Sequence, residues 1–206
     1  MLGFKKKETM KKCTLFFFLG QSGAGKDTQI RKTLKYLREN NVPYFYISNG
    51  DEVRRRSKKA DSGLFFAKHM TKINSQGKLQ PPVLPIYFYL AKMEKAYKEG
   101  MVIIINGSPR NKKEFPLWQM LMKTGYLPNK AEIIYIDTPN DECKRRVLKR
   151  NRGDTPSDKV IRTKMAWFTL VKEFLAKKMP AGFKLITVNG LLKRNEQFEI
   201  IKKRFL

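Results

Sequence analysis

Short runs of almost continuously apolar residues recur along the chain and predict the strands of a sheet. They occupy residues 13–19, 44–48, 101–105, 132–136 and 184–188. The first, third and fourth runs are apolar at nearly every position instead of alternating with polar residues, which is typical of strands covered by helices on both faces. The pattern therefore favours a parallel sheet.

The segments between these runs place apolar residues at helical spacing. One stripe consists of Ile30, Leu34 and Leu37, and a second of Ile161, Met165, Phe168, Val171 and Leu175. Alternation of strands and amphipathic helices predicts an α/β fold, here a five-stranded parallel sheet with helices on both faces. A chain of 206 residues fits one such domain, spanning residues 1–206.

Two stretches interrupt the alternation and are candidate inserts over a ligand. Residues 51–80 are predicted to be helical and include a basic run at 54–59, whereas residues 150–158 are rich in Arg, Gly and Asp. Pro81, Pro82 and Pro85 follow Gly77 and predict a turn and a helix start. The basic residues 1–7 are predicted to form a frayed arm.

Charge and cysteine content narrow the class of partner. The chain has 44 Lys and Arg against 18 Asp and Glu, a formal charge of +26, which attracts nucleic acid, anionic lipid or phosphorylated small molecules. No apolar run approaches the roughly 20 residues that a membrane helix needs, so no membrane association is expected. Two cysteines and one histidine cannot build a disulfide framework or a zinc site, and a cytoplasmic location is expected.

A glycine-rich loop follows the first predicted strand. Residues 20–28 read Gly-Gln-Ser-Gly-Ala-Gly-Lys-Asp-Thr and lead into an amphipathic helix. Glycines let successive backbone N–H groups face a phosphate, and Lys26 supplies a cation for the β- and γ-phosphates. The motif predicts that a nucleoside triphosphate binds here and leaves an ATPase, a GTPase and a small-molecule kinase open. The residues assigned to this site are Gly23, Ala24, Gly25, Lys26, Asp27 and Thr28.

This loop and four further segments together resemble the adenylate kinase family of nucleoside monophosphate kinases. The loop of that family also has one residue between the Lys and the Thr. Residues 47–54 (Ile-Ser-Asn-Gly-Asp-Glu-Val-Arg) are similar to the family's Ile-Ser-Thr-Gly-Asp segment and its following Arg. Residues 77–81 (Gly-Lys-Leu-Gln-Pro) resemble Gly-x-Leu-Val-Pro, and 106–110 (Asn-Gly-Ser-Pro-Arg) resemble Asp-Gly-Phe-Pro-Arg. The arginines of residues 146–165 are similar to those of the lid, so the resemblance runs from about residue 15 to 190.

The resemblance implies transfer of the γ-phosphoryl group of ATP, bound with Mg²⁺, to AMP (ATP + AMP = 2 ADP) by a monomer. It also implies an insert at about 50–80 that binds the monophosphate and a short lid at about 150–158. The implied catalytic cations are Lys26, Arg110, Arg146, Arg150 and Arg152. Arg146, Arg150 and Gly190 join the loop around ATP. The implied monophosphate site comprises Asn49, Arg54, Lys78, Leu79, Gln80, Gly107, Arg110, Glu114, Arg152, Arg162 and Lys164.

The chain departs from the family at several of these positions. Only Asn151 separates Arg150 from Arg152, so the lid has no room for a zinc site or a hairpin. Asn106 stands where the family has an Asp that orients waters on Mg²⁺, so no direct protein ligand is expected and Thr28 and Asn106 are candidates acting through water. Asp27, where the family has Gly, is the nearby acid that can replace the missing charge.

Base preference and the final lid cation are left open by the sequence. Glu114 replaces a Gln that reads adenine in the family, and an ionised carboxylate only accepts hydrogen bonds. Uracil offers it the fewest donors, so UMP is expected to be the poorest acceptor, with GMP and CMP as alternatives to AMP. Arg162 and Lys164 both fit the position of the last lid cation.

Two other functions compete with a kinase. A nucleic-acid-binding protein would use the basic clusters, with the aromatic residues 16–18 and 87–89 as stacking platforms. The two aromatic runs are predicted to be a core strand and a helix start, which weakens that alternative, although non-specific nucleic-acid affinity can accompany catalysis. An inactive nucleotide-binding protein is suggested by Asn106 alone.

Overall fold

The computed structural model describes residues 14–58, 65–149, 157–177 and 179–205. The predicted N-terminal arm and most of the predicted lid, including Arg150 and Arg152, lie outside these ranges. Within them the chain order is β1 (Leu15–Leu19), α1 (Lys26–Glu39), β2 (Tyr44–Ser48), α2 (Asn49–Ser57), α3 (Phe65–Ser75), α4 (Val83–Ala96), β3 (Val102–Asn106), α5 (Glu114–Lys123), β4 (Ala131–Asp137), α6 (Asn140–Leu148), α7 (Asp158–Lys177), β5 (Phe183–Asn189) and α8 (Arg194–Lys202).

The five strands form one parallel sheet in the order β2-β3-β1-β4-β5. Each lies within two residues of an apolar run in the sequence. The central strand β1 is fully buried along its length, because Phe17 packs with Trp118 on one face while Phe16 and Phe18 pack with Ile30 on the other. The predicted α/β architecture, with helices on both faces of a parallel sheet, is confirmed.

The amphipathic stripes also form the predicted helices. In α1, Ile30 and Leu37 are buried, and in α7 the buried residues are Ile161, Val171 and Leu175. Helix α4 begins directly after the Pro81–Pro82 turn. No helix within the described ranges is long and apolar enough to cross a membrane.

Parallel strands bring their carboxyl ends to one edge of the sheet, and this edge positions the site. The glycine-rich loop leaves β1 between the ends of its two neighbours, where Asn106 closes β3 and Asp137 closes β4. Strands β2 and β3 lie on one side of β1, and β4 and β5 lie on the other, so the strand order reverses at β1. Ligands of open α/β sheets bind in the crevice at such a switch point.

Candidate active site

The glycine-rich loop turns from β1 into α1 through backbone conformations that favour glycine. Gly23 has φ +90° and Gly25 has φ +101°. A Cβ at Gly23 would collide with the backbone carbonyl of Cys143, so a side chain fits neither the conformation nor the space. Lys26 opens α1, so its charge adds to the positive end of the helix dipole where a phosphate would bind.

Arg146 connects the loop to the turn after β5. Its guanidinium donates hydrogen bonds to the Ala24 carbonyl (3.4 Å), the Gly190 carbonyl (3.1 Å) and Glu142 Oε1 (2.6 Å). Hydrogen bonds from Arg145 and Arg146 lower the pKa of Glu142 to about 2. Arg146 also lines a cleft with Gly23, Gly25, Thr28 and Gln197, which we call the donor cleft.

A second cleft lies at the mouth of the loop and collects side chains from three strand ends. Its described lining residues include Lys26 and Asp27 from the loop, Ser48 from β2, Asn106 from β3, and the arginines Arg54 and Arg110. We call it the phosphate cleft. Three cations so close together favour an anionic ligand with several phosphate oxygens.

Arg54 and Arg110 are positioned toward such a ligand by different contacts. Arg54 on α2 bonds Asp51, and its guanidinium lies against Gly50. Arg110 lies partly buried against Gly107, a residue with φ +77°, and its buried Nε has no hydrogen-bond partner among the described residues. Burial is the main cause that lowers the pKa of Arg110, and the charge of Arg54 adds to it. A bound phosphate would satisfy the unpaired donor and offset both effects.

Asn106 and Asp27 meet inside the phosphate cleft. The Asn106 amide nitrogen lies 3.3 Å from Asp27 Oδ1, 3.4 Å from Tyr46 Oη and 3.5 Å from Ser48 Oγ. Asp27 Oδ1 is also 3.8 Å from Lys26 Nζ. Mg²⁺ bound to a nucleotide takes one or two protein carboxylates together with phosphate oxygens and water. The carboxylate of Asp27 and the nearby amide fit that ion, and no group of three or more His, Cys, Asp or Glu side chains suited to a metal occurs among the described residues.

A third cavity, which we call the acceptor cavity, opens between α2, the turn before α4, and α7. Among the residues that line it are Asn49, Arg54, Lys78, Leu79, Gln80, Arg110, Glu114, Lys164 and Trp167. The Gln80 amide nitrogen donates to the Met70 carbonyl (3.1 Å), and Gln80 Oε1 is buried without a hydrogen-bond partner in the described part of the chain. Asn49 Oδ1 is likewise buried and unpartnered. Such acceptors carry a desolvation cost unless a ligand supplies donors.

Glu114 lies in this cavity but already has internal partners. The Ser108 hydroxyl donates to Oε2 (2.6 Å), and the Asn111 amide donates to Oε1 (3.0 Å). Burial is the largest of several influences on its carboxyl and raises the pKa of Glu114. Glu114 is only 1% exposed, so a base amine can reach its carboxylate only if the side chain turns toward the cavity.

The structure brings most of the sequence-predicted site residues into these three spaces and separates one pair. Lys164 lines the acceptor cavity, whereas the side chain of Arg162 is 77% exposed and bonds Asp158 (3.4 Å). The geometry therefore favours Lys164 over Arg162 as the cation at the site. Thr28 lines the donor cleft and is absent from the residues described around the phosphate cleft.

Sequence reasoning missed Tyr46, Ser48 and Trp167. Tyr46 and Ser48 belong to a predicted strand, and only tertiary structure brings their hydroxyl groups to Asn106. Trp167 precedes Phe168 of the apolar stripe by one residue, and a large aromatic side chain beside a helix's buried face was the available signal.

Comparison with known proteins places this site within a family. A sequence family described as AAA domain matches residues 19–163. Probable UMP-CMP kinase 1 of Arabidopsis thaliana is 26% identical over 201 residues, which cover 95% of this chain and 89% of that protein. Adenylate kinase of Helicobacter pylori (strain HPAG1) is 30% identical over 158 residues, with 75% and 76% covered. UMP-CMP kinase 3 of Oryza sativa subsp. japonica is 28% identical over 143 residues, with 69% and 61% covered.

The matched region contains the glycine-rich loop, both arginines of the phosphate cleft and most of the acceptor cavity. Three adjoining spaces with a loop shaped for phosphate suit two nucleotides that meet at their phosphates. The chain thus belongs to the nucleoside monophosphate kinase family of phosphotransferases.

Proposed function

We propose that the chain transfers the γ-phosphoryl group of ATP, bound with Mg²⁺, to a nucleoside monophosphate, with AMP preferred. The observation that carries the proposal is the set of cations Lys26, Arg54 and Arg110, which line both the phosphate cleft and the acceptor cavity. The phosphate of a nucleoside monophosphate in the acceptor cavity would meet these three cations beside the glycine-rich loop. ATP would occupy the donor cleft, with its phosphates along the loop.

Direct in-line transfer fits the charges of this site. Two phosphate chains repel each other, and Lys26, Arg54 and Arg110 offset that repulsion and hold the acceptor oxygen near the γ-phosphate. Mg²⁺, when bound with ATP, supplies further charge neutralisation at the phosphate oxygens. The acceptor phosphate is already anionic, so no side chain needs to remove a proton from it. Arg146 and Arg150 would complete the ATP side, and Arg152 would bind the monophosphate side.

The hydrogen-bonding groups of the acceptor cavity support an amino-bearing base. The side chains of Asn49, Gln80 and Glu114 line the cavity, and their buried oxygens would accept hydrogen bonds from a base once these side chains turn toward it. Adenine and cytosine each present an exocyclic amine, guanine presents an amine and a ring N–H, and uracil presents one ring N–H beside two carbonyl acceptors. AMP leads because of the resemblance to adenylate kinases, and CMP is the nearest rival because other relatives are named UMP-CMP kinases.

A panel of acceptors tests this assignment. With MgATP fixed, kcat/KM should be highest for AMP and lowest for UMP, because uracil would leave buried acceptors facing its carbonyl oxygens. One unsatisfied buried group costs about 1–3 kcal/mol, which corresponds to a roughly 5- to 150-fold lower kcat/KM for UMP. UMP used as well as AMP would contradict the role given to these acceptors. Preference for CMP or GMP would replace AMP but keep the class of reaction.

The burial of most aromatic side chains in the two predicted stacking runs argues against a dedicated nucleic-acid-binding protein. Phe16, Phe17 and Phe18 are fully buried in β1, and Phe88 and Tyr89 are buried in α4, so Tyr87, at 54% exposure, is the one exposed ring in these two runs. Salt-sensitive, sequence-independent affinity for nucleic acid stays part of the proposal because of the net charge of +26. The cytoplasmic location expected from the cysteine content and the monomeric state implied by the family resemblance are also part of it.

A further inference from the structure

The phosphate cleft contains one carboxylate among its described lining residues, that of Asp27. The other ionisable side chains in that lining are the cations Lys26, Arg54 and Arg110. A divalent cation entering with the nucleotide meets three positive charges, whose repulsion the phosphates of the nucleotide offset in part. A nearby carboxylate is the feature of the protein that would offset the remainder.

The Asp27 side chain is placed to do this. It is 41% exposed and projects from the first turn of α1, where the loop's N–H groups face the phosphates. Its Oδ1 lies between Lys26 Nζ at 3.8 Å and the Asn106 amide nitrogen at 3.3 Å. When Lys26 binds phosphate oxygens of the nucleotide, the Asp27 carboxylate would face the metal ion bound to the same phosphates.

The Asn106 side chain can orient the Asp27 carboxylate but carries no charge itself. Asp27, Tyr46 and Ser48 all present oxygens to its side-chain nitrogen, which fixes which way the amide points. An amide next to a carboxylate donates a hydrogen bond, whereas a second carboxylate there would repel the first. The pair thus holds one negative charge at a fixed place in the cleft.

We propose that Asp27 is the residue that compensates the charge of the nucleotide-bound Mg²⁺ and orients its waters, with Asn106 acting as a positioning residue for Asp27. The inference rests on the proposed function, since ATP must occupy the loop. It predicts that the negative charge is needed in the cleft, and that either of these two adjacent positions can carry it.

The test measures coupling between metal and nucleotide without turnover. Binding of the non-hydrolysable β,γ-imido analogue of ATP is titrated calorimetrically with Mg²⁺ and with EDTA, and the ratio of the two dissociation constants gives the coupling. Asp27→Asn should reduce this ratio by about 10- to 100-fold, the usual size of an effect on metal affinity from an outer-shell partner. Unchanged coupling in Asp27→Asn would overturn the inference.

Two further variants separate charge from helix stability. Asp27 is also the acid in the first turn of α1, where a negative charge stabilises the helix through its dipole. Asp141 is exposed and has the same place in α6, outside the phosphate cleft, so Asp141→Asn should lower stability slightly and leave the coupling unchanged. The exchange variant Asp27→Asn with Asn106→Asp keeps the composition and should restore most of the lost coupling.

Asn106→Asp alone adds a second carboxylate and should lower the Mg²⁺ concentration needed for half-maximal transfer. An exchange variant as impaired as Asp27→Asn would overturn the inference, because position and not charge would then matter. Wild-type transfer to AMP is measured beside these titrations. Transfer by the wild type with unchanged coupling in Asp27→Asn rejects the role of Asp27 alone, whereas absence of transfer to any monophosphate rejects the proposed function itself.

Discussion

Replacing Lys26 by methionine is expected to abolish phosphoryl transfer and leave the fold intact. The Lys26 ammonium group lines both the phosphate cleft and the acceptor cavity, and its side chain is only 13% exposed. Methionine keeps the length and apolar stem but removes the cation that faces the transferring group. Loss of one preorganised electrostatic contact to a transition state commonly lowers kcat about 100- to 1,000-fold.

A thermal unfolding measurement on this variant shows whether a loss of activity comes from the missing cation or from unfolding of the protein. Lys26 is not among the core residues that support the sheet, so Tm should barely change. Lys35→Met is the matched control, because Lys35 is on the same helix and, among the described residues, pairs with Glu39 (3.6 Å) at an exposed site. Turnover by Lys26→Met at the parental rate would show that the loop was wrongly assigned.

An analogue that joins two adenosines through a polyphosphate is expected to bind far more tightly than ATP or AMP. The donor cleft and acceptor cavity adjoin the same loop, so one ligand can fill both and its second half binds intramolecularly. Linking two modest ligands commonly raises affinity by about 10² to 10⁴. Calorimetry would measure the gain, with an analogue whose polyphosphate is too short to reach both spaces as the control.

The pattern of inhibition is equally informative. Occupation of both spaces predicts competition with ATP and with AMP. It also predicts slower hydrogen exchange in the described parts of the predicted insert and lid, residues 51–58, 65–80, 146–149 and 157–164, because the bound ligand excludes water from them. Competition with only one of the two nucleotides would indicate a protein that binds a single nucleotide, and would contradict the proposed function.

The sheet and the phosphate loop could be predicted from sequence because their signals are local. Strand β1 is apolar throughout since both of its faces are covered, and the glycines of residues 20–25 sit between it and an amphipathic helix. These features need no knowledge of distant residues. Family resemblance then supplied Arg54 and Arg110, which do meet Lys26 in one cleft.

Contacts between residues that are far apart along the chain could not be predicted from the sequence. Asn106 and Asp27 are 79 positions apart, and only the neighbouring placement of β1 and β3 brings them together. The choice between Arg162 and Lys164 depended on which side of α7 faces the acceptor cavity. Glu114 was predicted to face the base, but its hydrogen bonds to Ser108 and Asn111 arise from a local turn that no spacing rule reveals.

The most direct test of the central claim follows the γ-phosphoryl group itself. Wild-type protein is incubated with Mg²⁺, ATP labelled at the γ-phosphate, and AMP, and the products are separated. We predict that the label appears at the β-phosphate of ADP and that two ADP form for each ATP consumed. Label released as inorganic phosphate, or no transfer to AMP, CMP, GMP or UMP, would contradict the assignment of this chain's site to phosphoryl transfer between nucleotides.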